Sequence, residues 1–407
     1  MPSPLKKLFK PEKAPLFPFI DGLRALSILW IISLHTLWMF GYHLDKQAFI
    51  ELSTRPELSA FFQGHLAVDT FFVISGFLIG YYLFSEYKQH QSLNLKQFYL
   101  RRALRLLPAY FAVMVIVAFV YPHNLHTIWA NVLYVNNFIP LQQQFMGWTW
   151  SLAIEEQFYT LFPCLLLLIG KTKRVLLILV LLFLLSFVIR FALSYAYQLQ
   201  LPLPMHVVID KEMTYHFFNV MYDKSYSRYG GLMVGVIAAY LIVYTRAIEF
   251  LKHHHTLRRS LWVISLLLLI SYIFIPLAGL EASVIKTAYL LAGVRNIFSL
   301  AIGYLVLYSL SIGQKSWVVK ALSSRFWYPI AQLSYSAYLL HLMIIALLAQ
   351  YLYPTMSLDF LTLLGLILLM ITSTLVLATM LYIWIEKPVL ELRNYRFPRI
   401  NEKQIKT

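Results

Sequence analysis

Residues 175–196 read VLLILVLLFLLSFVIRFALSYA, 22 residues with a single charge, Arg190. A helix needs roughly 20 apolar residues to cross the hydrocarbon core of a bilayer. The run is continuous rather than alternating, so its backbone is satisfied inside a helix and not in a closed barrel. Working outward, nine further apolar runs lie near 23–41, 65–84, 106–121, 151–169, 229–245, 261–279, 291–312, 333–353 and 359–385. The third of the ten spans is short, and the eighth is interrupted by Arg295 and Asn296. The pattern predicts an all-α, polytopic integral membrane protein of about ten transmembrane helices. Composition agrees: 13% of the 407 residues are charged, against about a quarter in soluble chains.

The formal net charge is +16, which on a soluble chain would suggest nucleic acid. Here the charge follows topology. With the N-terminus in the cytoplasm, 25 of the 34 Lys and Arg residues fall on inner segments and six on outer loops, while Arg24, Arg190 and Arg295 lie within spans. This asymmetry predicts both termini in the cytoplasm and needs no nucleic-acid partner. The predicted organisation is a cytoplasmic segment (1–22), a transmembrane domain (23–388) and a basic cytoplasmic tail (389–407) suited to anionic lipids. Prolines at 2, 4, 11, 15 and 18 break any helical leader, so no cleaved signal peptide is expected. The single cysteine, Cys164, leaves no internal disulfide and no Cys-based metal site. The run His253-His254-His255 has no converging ligands in the sequence, and no metal is expected. The longest outer loop, about 197–228, carries Asp210, Lys211, Glu212, His216 and Tyr222 and is polar enough to meet a substrate.

Ionisable groups inside a membrane are costly and are functional candidates. Arg24 and His35 are eleven residues apart, three turns plus about 20°, so they share one helix face about 16 Å apart. Arg24 at the cytoplasmic mouth suits an anion clamp. His35, deeper, suits proton abstraction from an attacking hydroxyl. Arg102 and Arg105 are i, i+3 neighbours whose guanidinium forks match phosphates, as on coenzyme A. Ser151, Glu155 and Tyr159 form one polar stripe at i, i+4, i+8. Glu155 reads as an inward carboxylate that orients a histidine or an acceptor hydroxyl, with a structural salt bridge to Arg190 or Arg228 as the rival. Trp148 and Trp150 either anchor at the interface or stack on a sugar. Ser334, Tyr338 and His341 also share a face. The first two read as helix–helix hydrogen bonding, and His341 as a second candidate base.

The ordered motifs resemble the acyltransferase-3 family of membrane-bound O-acyltransferases, which includes bacterial O-antigen acetylases. Arg24 and His35 match its Arg–x10–His signature, and the segment Val68-Asp69-Thr70-Phe71-Phe72-Val73-Ile74-Ser75-Gly76 its glycine-turn motif. Arg102-Ala103-Leu104-Arg105 matches Arg–x–x–Arg, and Trp150-Ser151-Leu152 with Glu155 matches the Trp-Ser-Leu motif. Ser334 to His341 and Glu386-Lys387-Pro388 match the C-terminal motifs. The resemblance implies a ten-span core with His35 as base, Glu155 as an essential polar residue, and Arg24, Arg102 and Arg105 serving acyl-CoA as co-substrate, with no permanently bound cofactor. Asp69, Ser75, Trp150, Ser151, Tyr159, Arg228, Tyr338 and His341 become acceptor-side or structural candidates. The chain departs from the pattern at Leu340, where Trp is frequent, and after Arg228, where an acidic residue is frequent. Some members carry a fused extracytoplasmic hydrolase-like domain, which is not expected here.

The reading is therefore a membrane O-acyltransferase moving an acyl group, by family habit acetyl, from cytoplasmic acyl-CoA to a hydroxyl of an extracytoplasmic or lipid-linked sugar such as a surface polysaccharide. The rival is a transporter or flippase of a lipid-linked glycan, with Arg24 and His35 as a relay. Against it, the sequence has no internal repeat and no pair of broken helices of the transporter type.

Overall fold

The computed structural model describes residues 15–41, 44, 48, 51–52, 55–199, 210–274, 284–352 and 359–396. The described residues are helical apart from short connections, with no strand among them. The principal helices are α1 (Pro18–Gly41), α2 (Ala67–His90), α3 (Leu95–Val120), α4 (Trp150–Ile169), α5 (Val175–Ala196) and α6 (Gly230–Tyr244). They continue with α7 (His255–Phe274), α8 (Val284–Ile312), α9 (Trp327–Leu352) and α10 (Phe360–Leu381). Among the described residues nine helices are long and apolar enough to span a membrane. A tenth span arises if α6 and Ala247–His253, bent by 82°, count as one.

Two predicted boundaries change. Arg101, Arg102 and Arg105 were expected in the connection before a short third span, but α3 begins at Leu95 and carries all three. Its start is set by Asn94, whose side chain accepts the Gln97 backbone N–H at 3.0 Å, an N-cap that a hydropathy reading overlooks. The eighth span is not interrupted. α8 runs unbroken through Arg295 and Asn296 because both side chains find partners inside the bundle: Asp69 for Arg295 and Ser186 for Asn296. The segments 1–14 and 397–407 and the stretch 200–209 of the long outer loop lie outside the described residues. The described end of that loop forms a helix, Lys211–Phe217, capped by Asp210, whose carboxylate accepts the Met213 N–H at 2.9 Å.

Lipid supplies no hydrophobic drive between helices, so close backbone approach and small residues must hold them together. α6 lies along α2 in this manner. A Cβ on Gly235 would stand 2.1 Å from the Val73 carbonyl oxygen, and one on Gly76 would stand 2.0 Å from that of Leu232. α1 packs against α9 and α2, and α8 against α5. Gly235→Ala should cost about 1–3 kcal/mol through overpacking, read as a lower unfolding temperature in detergent. Gly365→Ala, where nothing lies within 4 Å, should be neutral or stabilising.

Candidate active site

α1 and α9 run parallel and are bridged twice. Near their N-terminal ends Arg24 Nη2 donates to Ser334 Oγ at 2.9 Å. Deeper, His35 Nδ1 and His341 Nε2 are 2.9 Å apart. The two polar faces read from the sequence therefore meet each other. The second bridge fixes its own protonation pattern. His341 Nδ1 lies 2.7 Å from the Tyr338 carbonyl oxygen, which can only accept, so Nδ1 carries the proton. In the neutral ring Nε2 is then the acceptor, and His35 must donate to it from Nδ1. That leaves His35 Nε2 with the free lone pair. His341 is fully buried, and Trp38 packs edge-on against the His35 ring at 5.5 Å.

Beside these helices lies a cavity of about 560 Å³. It reaches along α2 from Gln89 to Val68, about 32 Å at 1.5 Å per residue. Five arginines line it (Arg24, Arg101, Arg102, Arg105 and Arg393) with four carboxylates, Asp21, Glu86, Glu155 and Glu386. The near balance means that an incoming anion competes with carboxylates for the guanidinium groups. The α4 stripe lines the same cavity. Glu155 accepts from Ser75 Oγ at 2.7 Å and from Tyr159 OH at 3.0 Å. The Arg102 guanidinium sits 3.3 Å from the Tyr159 ring centre, and its buried Nε has no hydrogen-bond partner among the described residues. At the far end Ser151 Oγ and Tyr338 OH are 2.6 Å apart. The Tyr338 ring lies 5.4 Å from that of His341. The His pair thus stands behind Tyr338, beside that end of the cavity.

Several expectations are corrected here. Glu155 bonds neither histidine, and its rival partners are engaged elsewhere: Arg190 with the Leu291 and Ser227 carbonyls, Arg228 with Asp69. Glu155 instead shares one cavity with Arg24 and Arg102, so no acceptor-side compartment separates it from the arginines. Trp150 is buried, packed against Phe72 and Tyr222, and is not open to a sugar ring. Trp148 donates to the Leu339 carbonyl at 3.1 Å. His35 does not line the cavity and is reached through Tyr338 and His341. Sequence reasoning matched Glu386 to a C-terminal motif but gave it no role in the site, and it missed Arg393. α10 passes through a π turn, Tyr382–Glu386, into the helix Lys387–Arg396, which folds part of the expected tail against the site. Glu386 accepts from Ser336 Oγ. A lone carboxylate ahead of Lys-Pro at the end of an apolar run was the available signal.

A second charged cluster lies where α2 and α6 begin. Asp69, 2% exposed, pairs with Arg295 at 2.5 Å and with Arg228 at 3.4 Å. Tyr222 and Trp150 lie close against the Arg228 guanidinium, at 5.3 and 5.1 Å. Burial, with the adjacent Arg295, pushes Arg228 down to about 10, so it remains a cation at neutral pH.

A bundle of apolar helices around a basic, carboxylate-lined cavity, with a histidine pair beside it, defines a polytopic membrane protein. The acyltransferase-3 family, described as an acyltransferase domain, matches residues 17–383, and the chain belongs to it. The peptidoglycan O-acetyltransferase OatA of Listeria monocytogenes is 34% identical over 180 residues, covering 38% of this chain and 25% of the relative. The O-acetyltransferase OatA of Staphylococcus aureus is 38% identical over 182 residues, covering 39% and 26%. The chain thus spans about a quarter of the length of these relatives. No solved structure matches.

Removing the Asp69 charge would leave Arg228 and Arg295 buried together without a counter-ion. Asp69→Asn should therefore destabilise by about 3–5 kcal/mol, measured by thermal unfolding in detergent against wild type.

Proposed function

We propose that this chain is a membrane O-acetyltransferase that takes acetyl from cytoplasmic acetyl-CoA and delivers it to a sugar hydroxyl. The observation that carries the reading is one cavity that runs from the arginine-lined end to the Ser151–Tyr338 pair, with the His35–His341 bridge packed behind Tyr338. Acyl-CoA is the co-substrate. Its phosphates meet Arg102 and Arg105 with Arg24, and its thioester arm extends towards Tyr338. The acceptor hydroxyl oxygen attacks the thioester carbonyl carbon while His35 Nε2 takes its proton. The tetrahedral intermediate collapses, the C–S bond breaks, and the thiolate leaves and recovers the proton. The products are the acetyl ester and coenzyme A. His341, by accepting from His35 Nδ1, holds the base in the tautomer that exposes Nε2. Tyr338 must swing aside for substrate and base to meet. The alternating distribution of Lys and Arg supports both ends in the cytoplasm of a bacterial inner membrane, with lipid around the bundle and the acceptor glycan arriving from outside. The printed name of the Listeria relative makes peptidoglycan an acceptor to test beside O-antigen-type polysaccharide.

The test is turnover of radiolabelled acetyl-CoA by purified protein with surface-glycan acceptors. His35→Ala should lower kcat by roughly 10²–10⁴. His341→Gln should lower it by roughly 10–100, on the scale of losing a partner that orients a functional ligand. Arg105→Gln should raise KM for acetyl-CoA with little change in kcat, the mark of ground-state binding. Equal turnover in wild type and His35→Ala would move the base elsewhere. Glycan movement across proteoliposomes without acetyl-CoA consumption would replace the reading with the transporter one.

A further inference from the structure

Three buried guanidinium groups, those of Arg190, Arg228 and Arg295, lie within electrostatic reach of one another and of Asp69; Asp223 also reaches Arg228, but its carboxylate is taken by Lys224 and Gln144, each at 2.9 Å. They do not share Asp69 evenly. Arg190 pairs with no carboxylate among the described residues, but its N–H groups point at the Leu291 and Ser227 carbonyls. Arg295 holds Asp69 at 2.5 Å. Arg228 is 3% exposed and has only the long 3.4 Å approach to the second Asp69 oxygen. Its Nε, Nη1 and Nη2 have no hydrogen-bond partner among the described residues. Five donors of a buried cation left without acceptors are costly, and such groups persist where a ligand completes them.

The surroundings show where that ligand would sit. Tyr222 is only half-buried and packs against Arg228 and Arg295. His65, also half-buried, presents its carbonyl to Arg295. On the other side, Phe72 packs near the Arg228 guanidinium and also lines the far end of the cavity. Tyr338, whose hydroxyl closes that end, lies within electrostatic reach of Arg228 and Tyr222.

We propose that Arg228 is the anchor of an anion subsite for the acceptor, taking a carboxylate or phosphate ester on the sugar and so placing a neighbouring hydroxyl beside Tyr338 and the histidine pair. The proposal rests on the acetyltransferase reading for its biological meaning, but not for its binding chemistry. It assigns a preference for acidic or phosphorylated glycans over neutral ones. It also predicts an inversion of the usual stability logic. Asp69→Asn should lower stability, because Asp69 is shared by two cations. Arg228→Gln removes a cation held only by the long 3.4 Å approach to Asp69 and leaves the 2.5 Å Asp69–Arg295 pair intact, so the empty protein should melt at the wild-type temperature or above it.

The test uses the full chain in detergent, with excess coenzyme A present to occupy the arginine-lined cavity. D-Glucuronate, glucose 1-phosphate and glucose are titrated while the unfolding temperature is followed. We expect wild type to be stabilised by at least one of the two anions and not by glucose, with the apparent dissociation constant weakened at least tenfold in Arg228→Gln. Arg228→Lys keeps the charge and loses the fork; it should fold like wild type and bind glucuronate more weakly. A response to glucuronate alone identifies a sugar acid, a response to glucose 1-phosphate alone a glycosyl phosphate, and each supports the subsite. No anion response in wild type, an equal response in Arg228→Gln, or a large loss of stability in Arg228→Gln without ligand overturns it. Acetyl-CoA turnover, measured on the same preparations, separates the two readings: turnover without anion binding sinks the subsite alone, and anion binding without turnover sinks the acetyltransferase alone.

Discussion

The parallel contact between α1 and α9 organises everything else in the site. Two side-chain bridges hold it, Arg24–Ser334 and His35–His341, and neither can be exchanged for water at that depth. A polar group in hydrocarbon is tolerated only when another polar group meets it. The contact therefore sets the rotation of both helices about their axes. It turns Arg24 into the cavity and the His35 ring towards His341, and it settles which imidazole nitrogen keeps a free lone pair. α4 closes the arrangement by placing Ser151 against Tyr338 and Glu155 against Ser75.

The charged residues divide into two populations with different physics. Around the cavity, arginines and carboxylates nearly balance, and the space between them is open to a ligand. In the cluster about Asp69 they do not balance, and packing is tight. One population is arranged for exchange of partners, the other around a carboxylate too few. The glycines of α2 and α6 make the second arrangement possible. Backbone approach at Gly76 and Gly235 draws together the helix starts that carry Asp69 and Arg228.

Much of this was legible in the sequence. The spans follow from apolar runs. The shared face of Arg24 and His35, the stripe of Ser151, Glu155 and Tyr159, and the face of Ser334, Tyr338 and His341 all follow from a period of 3.6. Periodicity says which residues share a face but not which face meets which. Hence the bridges between positions some 300 apart in sequence, the pairing of Asp69 with Arg295 and Arg228, and the turning of Glu155 away from both histidines had to come from packing. The start of α3 was hidden because its first turns are charged, and hydropathy records lipid-facing character rather than helix. Arg393 was hidden for the same reason, in a tail whose basic composition resembles a lipid-surface anchor. Trp150 carried an ambiguous signal, since an indole suits an interface, a sugar ring and a core equally well.

The length of the cavity has an electrical consequence. It reaches about 32 Å along α2, as long as a hydrocarbon core of roughly 30 Å is thick. A recess filled with water or with an ionic donor conducts relative to lipid, so little of a transmembrane voltage falls along it. The drop is concentrated across the thin septum formed by Phe72, Tyr338 and the histidine pair. A full charge moved across that septum exchanges about 2.3 kcal/mol with the membrane for every 100 mV. Exchange of an acyl group for a hydroxyl proton carries no net charge across that barrier, so the voltage acts on the ionic ligands of the recess and leaves such an exchange untouched.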